Sequence, residues 1–249
     1  MKKYELTAEF IEQWGKKLFR IKALISFGSV EAGELGGYVE KEDNLAQDGD
    51  AWVCDNARVC DNARVYGNAR VCDNARVCDN ARVCDNARVC DNARVCDNAR
   101  VCDDARVCDN ARVCDNARVC DNARVCDDAR VCDDARVCDD AWVYGDAWVC
   151  DNARVYGNAR VCDNADYLLI GRIGSRFSFT TFFKNKDKGI TVSCGCFLGT
   201  IAEFRAKVTD THGNNKHAKI YNLAADMAEL QILGEEHFDK LNTNKSEPF

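Results

Sequence analysis

Val53-Cys54-Asp55-Asn56-Ala57-Arg58, then Val59-Cys60-Asp61-Asn62-Ala63-Arg64, opens a run of nineteen six-residue units that ends at Asp166 without an insertion or a slip. A unit this short cannot bury its own apolar face, so the run must stack on itself as a solenoid. In an extended segment Ala57 and Val59 fall on one side, and Arg58 and Cys60 on the other. Val never varies, and Ala always stands four places after it. These are the inward positions: a branched side chain fills the core and a small one fits near the bend. Asp61-Asn62 then interrupts, so four residues of strand and two of corner make one side of a polygon. The third position after Val is Asn or Asp in every copy. Both residues tolerate left-handed backbone, which places the tight corner there. The second position, Asp or Gly, is also turn-forming.

Val53-Cys54-Asp55-Asn56-Ala57-Arg58 and Val65-Tyr66-Gly67-Asn68-Ala69-Arg70 share one frame: an aliphatic residue, then a small residue four places on. In this the chain resembles the hexapeptide-repeat proteins. The resemblance implies a mainly β fold, a left-handed parallel β-helix with three sides of six residues and eighteen residues per coil. Handedness rests on the resemblance alone, because parallel crossovers are right-handed by general rule. Nineteen units on three sides make about six coils, or roughly 30 Å of axis at about 4.8 Å per strand. A pentapeptide-repeat helix is the nearest rival, but its period is five and this chain never drifts from six. The lead-in, Glu31-Ala32-Gly33-Glu34-Leu35-Gly36-Gly37-Tyr38-Val39, resembles that of the YdcK-like transferase-family proteins of bacteria. It is also similar to Val-Tyr-Gly-Asn-Ala repeat proteins of gut Firmicutes and their phages. The resemblance covers residues from about 25 to 165. Those relatives carry Tyr where this chain mostly carries Cys, as it still does at Tyr66, Tyr144 and Tyr156.

Three segments are expected: a β-rich N-terminal cap over 1–50, the solenoid over 51–166, and a small α+β cap over 167–249. Tyr4-Glu5-Leu6 and Lys17 to Leu24 read as strands, with a turn at Trp14-Gly15-Lys16. Tyr167 to Ile170 is apolar. Phe177–Phe183 and Ile190–Cys196 read as a hairpin around 184–189. Thr200-Ile201-Ala202-Glu203 is a capping box opening a helix with Ile201, Phe204 and Val208 on one face, ended by Gly213. A second helix is predicted from Lys216 to Leu233, with Tyr221, Ala224, Met227 and Leu230 inward and Gly234 as its stop. The last residues look frayed. Both caps have a plain physical task, since open ends of a β-helix otherwise pair into fibres.

The net charge of −7 and the absence of a Lys/Arg cluster argue against a nucleic-acid partner. Met1-Lys2-Lys3-Tyr4-Glu5 carries no apolar signal stretch and nothing approaches a membrane span, so the expected location is cytoplasmic. The 18 cysteines are then expected mainly as thiols. Stacked Cβ atoms at about 4.8 Å also exceed the 3.5–4.5 Å of a disulfide.

Four sets of residues could carry function. Acyl transfer on this fold needs a His beside a coil to deprotonate the acceptor. Here the histidines are His212, His217 and His237, all beyond the repeat. No catalytic residue and no organic cofactor are therefore assigned, and a transferase reading rests on fold analogy alone. The cysteines form the second set. Residues eighteen apart should stack, so Cys60, Cys78, Cys96, Cys114, Cys132 and Cys150 make one unbroken column. Cys54, Cys72, Cys90, Cys108 and Cys126 make another, and Cys84, Cys102, Cys120 and Cys138 a third. Such columns could hold soft ions such as Cu(I) or Zn(II), though none offers the paired Cys-x-x-Cys of a dedicated zinc site. The plainer account is that a Tyr codon becomes a Cys codon by one base change, and tandem duplication copied it. Third, 21 Asp against 16 Arg over 51–165 leave −5 on the rod, and the Arg columns spoil any mimicry of DNA. The usual reading is a solvated face. Fourth, Trp142, Tyr144, Trp148 and Tyr156 stand at outward positions near the end of the run. There they mark either the seat of the C-terminal segment or a surface for a protein partner or a second copy. Cys194-Gly195-Cys196 is a lone Cys-x-Cys, read as strand-end packing. With Phe197 and His212-Gly213-Asn214 it resembles phage-borne proteins, which implies mobile-element ancestry. The leading expectation is a non-catalytic structural or interaction solenoid.

Overall fold

The structure, a computed structural model, describes residues 2–13 and 15–236. Trp14, His237 and the chain end expected to fray lie outside the described residues. Between Trp52 and Val161 each repeat contributes one two-residue strand, and successive strands belong in turn to three parallel sheets. Partners are eighteen residues apart and in register, as in Arg94↔Arg112 and Val95↔Val113. Strands this short are held by neighbours rather than by propensity. Arg76 N–H donates to Ala93 O at 2.9 Å, Cys78 N–H to Val95 O at 3.0 Å and Asn80 N–H to Asp97 O at 2.8 Å, and Ala81 N–H closes the corner on Cys78 O at 3.2 Å. From Val53 to Val161 the repeated Val and Ala side chains are fully buried in one continuous core, and Ala165 of the last unit is exposed.

The solenoid has about seven turns, one more than the repeat count implies. Leu35–Val39 pairs in parallel with Arg58–Val59, and Leu45 bridges Val65, so the non-repetitive lead-in supplies an extra rung. Two adjacent glycines permit this. A Cβ on Gly36 would lie 2.5 Å from Val53 O, and one on Gly37 2.6 Å from Ala57 O.

The left-handed corner residue is the second after Val, not the third. Asp55, Asp61, Asp97 and Asp133 have φ of 54°, 61°, 58° and 56°, and Gly67, Gly145 and Gly157 occupy the same place with φ of 70°, 63° and 63°. Asp at this corner also gains a partner. Its carboxylate accepts the backbone N–H of the corner residue one coil on, as in Asp115 N–H to Asp97 Oδ2 at 3.4 Å and Gly145 N–H to Asp127 Oδ2 at 3.0 Å. The next position forms its own ladder, with Asn98 Nδ2 donating to Asn116 Oδ1 at 3.3 Å.

At the N-terminal end Tyr4–Gln13 and Lys16–Ala23 form an antiparallel hairpin whose second strand joins Leu35–Val39. The end is sealed around Trp52, packed by Tyr4 and Phe27 with ring centroids 6.3 and 5.4 Å away. Lys3 is buried here and donates to Ala51 O at 2.9 Å. At the other end four antiparallel strands, Tyr167–Ile173, Ser178–Lys184, Ile190–Cys194 and Phe197–Thr200, carry two helices, α1 (Ile201–His212) and α2 (Lys216–Leu233). Phe183 from this sheet enters the solenoid core, and Lys186 N–H donates to Asn158 O at 3.1 Å. The capping box forms, with Glu203 N–H donating to Thr200 Oγ1 at 3.3 Å and Thr200 N–H to Glu203 Oε2 at 2.8 Å. The inner face of α2 is the expected one in its first half only. Tyr221 and Ala224 are buried as expected, together with Ala218, Ala225, Ala228 and Ile232, whereas Met227 and Leu230 are exposed. Positions spaced strictly by three drift around the cylinder, because a turn takes 3.6 residues.

Candidate functional site

The cysteine side chains leave the core and are half-buried or buried at its surface. None of the repeat cysteines is exposed, and Cys60, Cys84, Cys126 and Cys132 are buried. Each sulfur is shaded in part by those above and below it in its column. The expectation that rungs are too far apart to bond is corrected here. Cys54 is joined to Cys72 and Cys120 to Cys138, with Cα atoms 4.7 Å apart in both pairs. That separation lies within the disulfide range. Among the described residues, the other fourteen cysteines are unbridged.

The column Cys60, Cys78, Cys96, Cys114, Cys132 and Cys150 is covered at both ends. Cys60 packs with Leu18 and Tyr38 of the N-terminal hairpin. Trp148 Nε1–H donates to Cys132 Sγ at 2.9 Å, and Cys150 Sγ lies 3.9 Å from Tyr167 Oη. In its middle the thiols turn to the following Asp. Cys96 donates to Asp97 Oδ2 at 3.1 Å and Cys114 to Asp115 Oδ2 at 3.2 Å. A corner Asp thus accepts from its own coil's thiol and from the next coil's backbone. In Cys102, Cys108 and Cys114, bonds to neighbouring thiols come first among the causes that push the thiol above its ordinary value, followed by burial and the adjacent Asp.

Cys126 departs from this pattern. Its pKa is lowered to about 7, first by the bond from the Cys108 thiol, against burial, and further by the indole N–H of Trp142 at 3.0 Å. Cys132 receives an equivalent indole bond yet is pushed up to about 12, because burial dominates and the charges of Asp133 and Cys114 add to it. Seven groups of the kind that binds metals follow from the stacking, Cys84, Asp85 and Cys102 among them, and two of the seven also meet a tryptophan. In Cys108, Asp109 and Cys126, and again in Cys114, Asp115 and Cys132, one potential ligand atom per residue lies within 4.8 Å of the other two. The repetition of Asp after Cys was legible in the sequence; its convergence with the Cys one coil on, and with Trp142 and Trp148, was not.

The C-terminal cap leaves the Trp148 ring open, while Tyr144 lies near Lys184 of the cap. Trp142 is flanked by Arg124 and Arg160, with guanidinium carbons 5.7 and 5.5 Å from its ring, and by Tyr144 at 5.3 Å. Trp148 stays 50% exposed. The cap touches its backbone instead, with Tyr167 Oη–H donating to Trp148 O at 2.6 Å. Tyr156 is partly buried. Trp148 closes one end of a furrow of about 540 Å³ that runs beside Arg94, Arg112 and Arg130.

His212 and His217 both lie in the C-terminal helices, ring centroids 5.8 Å apart, and His212 stacks on Tyr221. A cavity of about 220 Å³ there is lined by Arg176, Cys194, Cys196, His212 and Tyr221 among others. Cys194 ends a strand and accepts from Thr180 Oγ1 at 3.2 Å, while Cys196 is exposed beyond it. No described helix is long and apolar enough to cross a membrane.

Among curated proteins none matches the chain. The YdcK Beta solenoid repeat matches it twelve times in overlapping windows that together span residues 51–145 and 147–163. Their offsets, all multiples of six, follow the coil sides seen in the structure, so the repeat region of this chain is similar to the YdcK β-solenoid repeat family.

Proposed function

We propose that the chain is a non-catalytic structural and interaction solenoid that works through a protein contact on its side, not through its ends. The observation that carries this is the contrast between the two kinds of surface. Trp52, Tyr4 and Phe27 close one end of the core and Phe183 the other, whereas Trp148 stands half exposed beside Arg94, Arg112 and Arg130. A large apolar ring held open beside a furrow that carries these three Arg together with Asp128 and Asp146 fits an extended protein surface of mixed charge. The phage or prophage origin implied by resemblance, and a cytoplasmic location, belong to the same reading. The transferase alternative has only the fold behind it.

The test is Trp148→Arg, which restores the residue that the repeat usually places there. Binding of the wild-type protein to a partner or to itself, followed by sedimentation, should weaken at least tenfold in the variant, with the melting temperature unchanged. Saturable binding of acyl-CoA, measured by calorimetry on the wild-type protein, would overturn the non-catalytic reading.

A further inference from the structure

We propose that the chain seats a soft monovalent cation, Cu(I), between Cys108 and Cys126 beneath the indole of Trp142, with an equivalent seat between Cys114 and Cys132 beneath Trp148. The inference goes beyond the interaction role and does not depend on it. Three observations converge on it. First, the potential ligand atoms of Cys108, Asp109 and Cys126 lie within 4.8 Å of one another, as do those of Cys114, Asp115 and Cys132. Second, these are the thiol pairs whose upper member receives an indole N–H, from Trp142 at 3.0 Å and from Trp148 at 2.9 Å. An indole nitrogen only donates, so it favours a sulfur carrying negative charge, as in a metal-bound thiolate. Third, Cys126 and Cys132 are only 9% and 7% exposed, which shields a bound ion from competing water.

The rung spacing decides the kind of ion. Two metal–sulfur bonds of about 2.3 Å laid end to end span about 4.6 Å, and stacked cysteines in this solenoid have Cα atoms 4.7 Å apart. The Cα spacing leaves the sulfurs free to close to a bond or to open, and at both seats the ligand atoms lie within 4.8 Å of one another, a reach that admits a two-coordinate S–Cu–S unit; soft thiolates select Cu(I). Zinc asks for four ligands. The third group here is not free to turn, because Asp109 Oδ2 already accepts Asp127 N–H at 3.3 Å and Asp115 Oδ2 accepts Asp133 N–H at 3.4 Å.

On binding, two S–H bonds break and two S–Cu bonds form. Both protons leave to solvent, the first from the Cys108 thiol along its 3.2 Å bond to the exposed Asp109 carboxylate. Copper stays Cu(I) throughout. The bis-thiolate unit carries one negative charge, which the guanidinium groups of Arg124 and Arg160 over Trp142 offset.

The reduced full-length protein is titrated anaerobically with Cu(I) supplied as its acetonitrile complex, following near-ultraviolet thiolate-to-copper absorption and tryptophan emission. Absorption should rise while emission falls over the first equivalents. Trp142→Phe should keep the absorption and lose its part of the emission response, and Cys108→Ser/Cys126→Ser should lose both at that seat. Emission that does not respond, or responds equally in the double variant, overturns the proposal, as does an equal response to Zn(II). Should the double variant fail to fold by circular dichroism, alkylation mapping of the wild type decides. Copper should protect Cys108 and Cys126 before Cys90 and Cys96, and uniform protection of every column refutes a defined seat.

Discussion

At the scale of single residues, the corner Asp, the buried Val and the tuned thiol each allow a sharp expectation. Asp97 holds φ of +58° and accepts Asp115 N–H. Asp97→Gly relieves the backbone while losing the acceptor, so it should be nearly neutral, whereas Asp97→Ala loses both and should cost about 1–2 kcal/mol. Urea melts of the two variants check this order. Val95 is fully buried, so Val95→Asp leaves a charge without a partner and should cost about 3–5 kcal/mol or more. Cys96→Tyr should change stability little in the same melts, since Tyr66, Tyr144 and Tyr156 occupy that position elsewhere. For Cys126 the sign follows from a pKa lowered to about 7 by Cys108 first, against burial, with Trp142 adding to the lowering. Its thiolate forms as pH rises through 7, so maleimide should label it there before Cys132, whose pKa is pushed up to about 12. Cys108→Ala should move the midpoint upward more than Trp142→Phe does. A pH profile of labelling by mass spectrometry reads both shifts.

At the scale of elements, the coils were legible because one residue type answers one demand at each position. Val and Ala alternate with polar residues, and six divides the run from Val53 to Asp166 without remainder, so side, corner and column all follow. The left-handed corner was misplaced by one residue, although the substitution of Gly for Asp at Gly67, Gly145 and Gly157 carried the correct signal. The extra rung was hidden because Leu35–Val39 and Leu45 lack the repeat and join the stack only through inter-coil bonds. On α2, Tyr221 and Ala224 were placed inward correctly, but Met227 and Leu230 were not, because an i, i+3 stripe was followed without the compensating i+4 step. The candidate site was half legible. Columns of Cys and the outward Trp residues could be numbered from the sequence, but the indole-to-sulfur bonds join residues sixteen apart across a coil. Gly37 tests the extra rung. Gly37→Ala puts a Cβ 2.6 Å from Ala57 O and 2.8 Å from Val53 Cγ1. Hydrogen exchange should quicken in residues 35–60 of this variant and remain unchanged near residue 130.

At the scale of the whole molecule, a stack of identical rungs has no internal reason to stop, so its length is set by what sits on its ends. The two ends are closed by different means. The N-terminal hairpin continues one sheet and seals the core with Trp52. The C-terminal sheet instead lays Ser178–Lys184 across the last coil, drives Phe183 into the core and pairs Asn185 with Ala159. Lys184 also reaches the partly buried Asp166 carboxylate at 2.7 Å, tying the cap to the last unit. Deleting residues 167–249 removes all of these and bares the final rungs, including Val155 and Val161, along with their unpaired backbone groups. The truncated protein should associate end to end, reaching a larger mass in light scattering as concentration rises. Its Trp148 emission should move little, because that ring is open to solvent in the full chain as well. A truncated protein that stays monomeric would show that the coils end themselves, while a large emission change would show that the cap covers the indole after all.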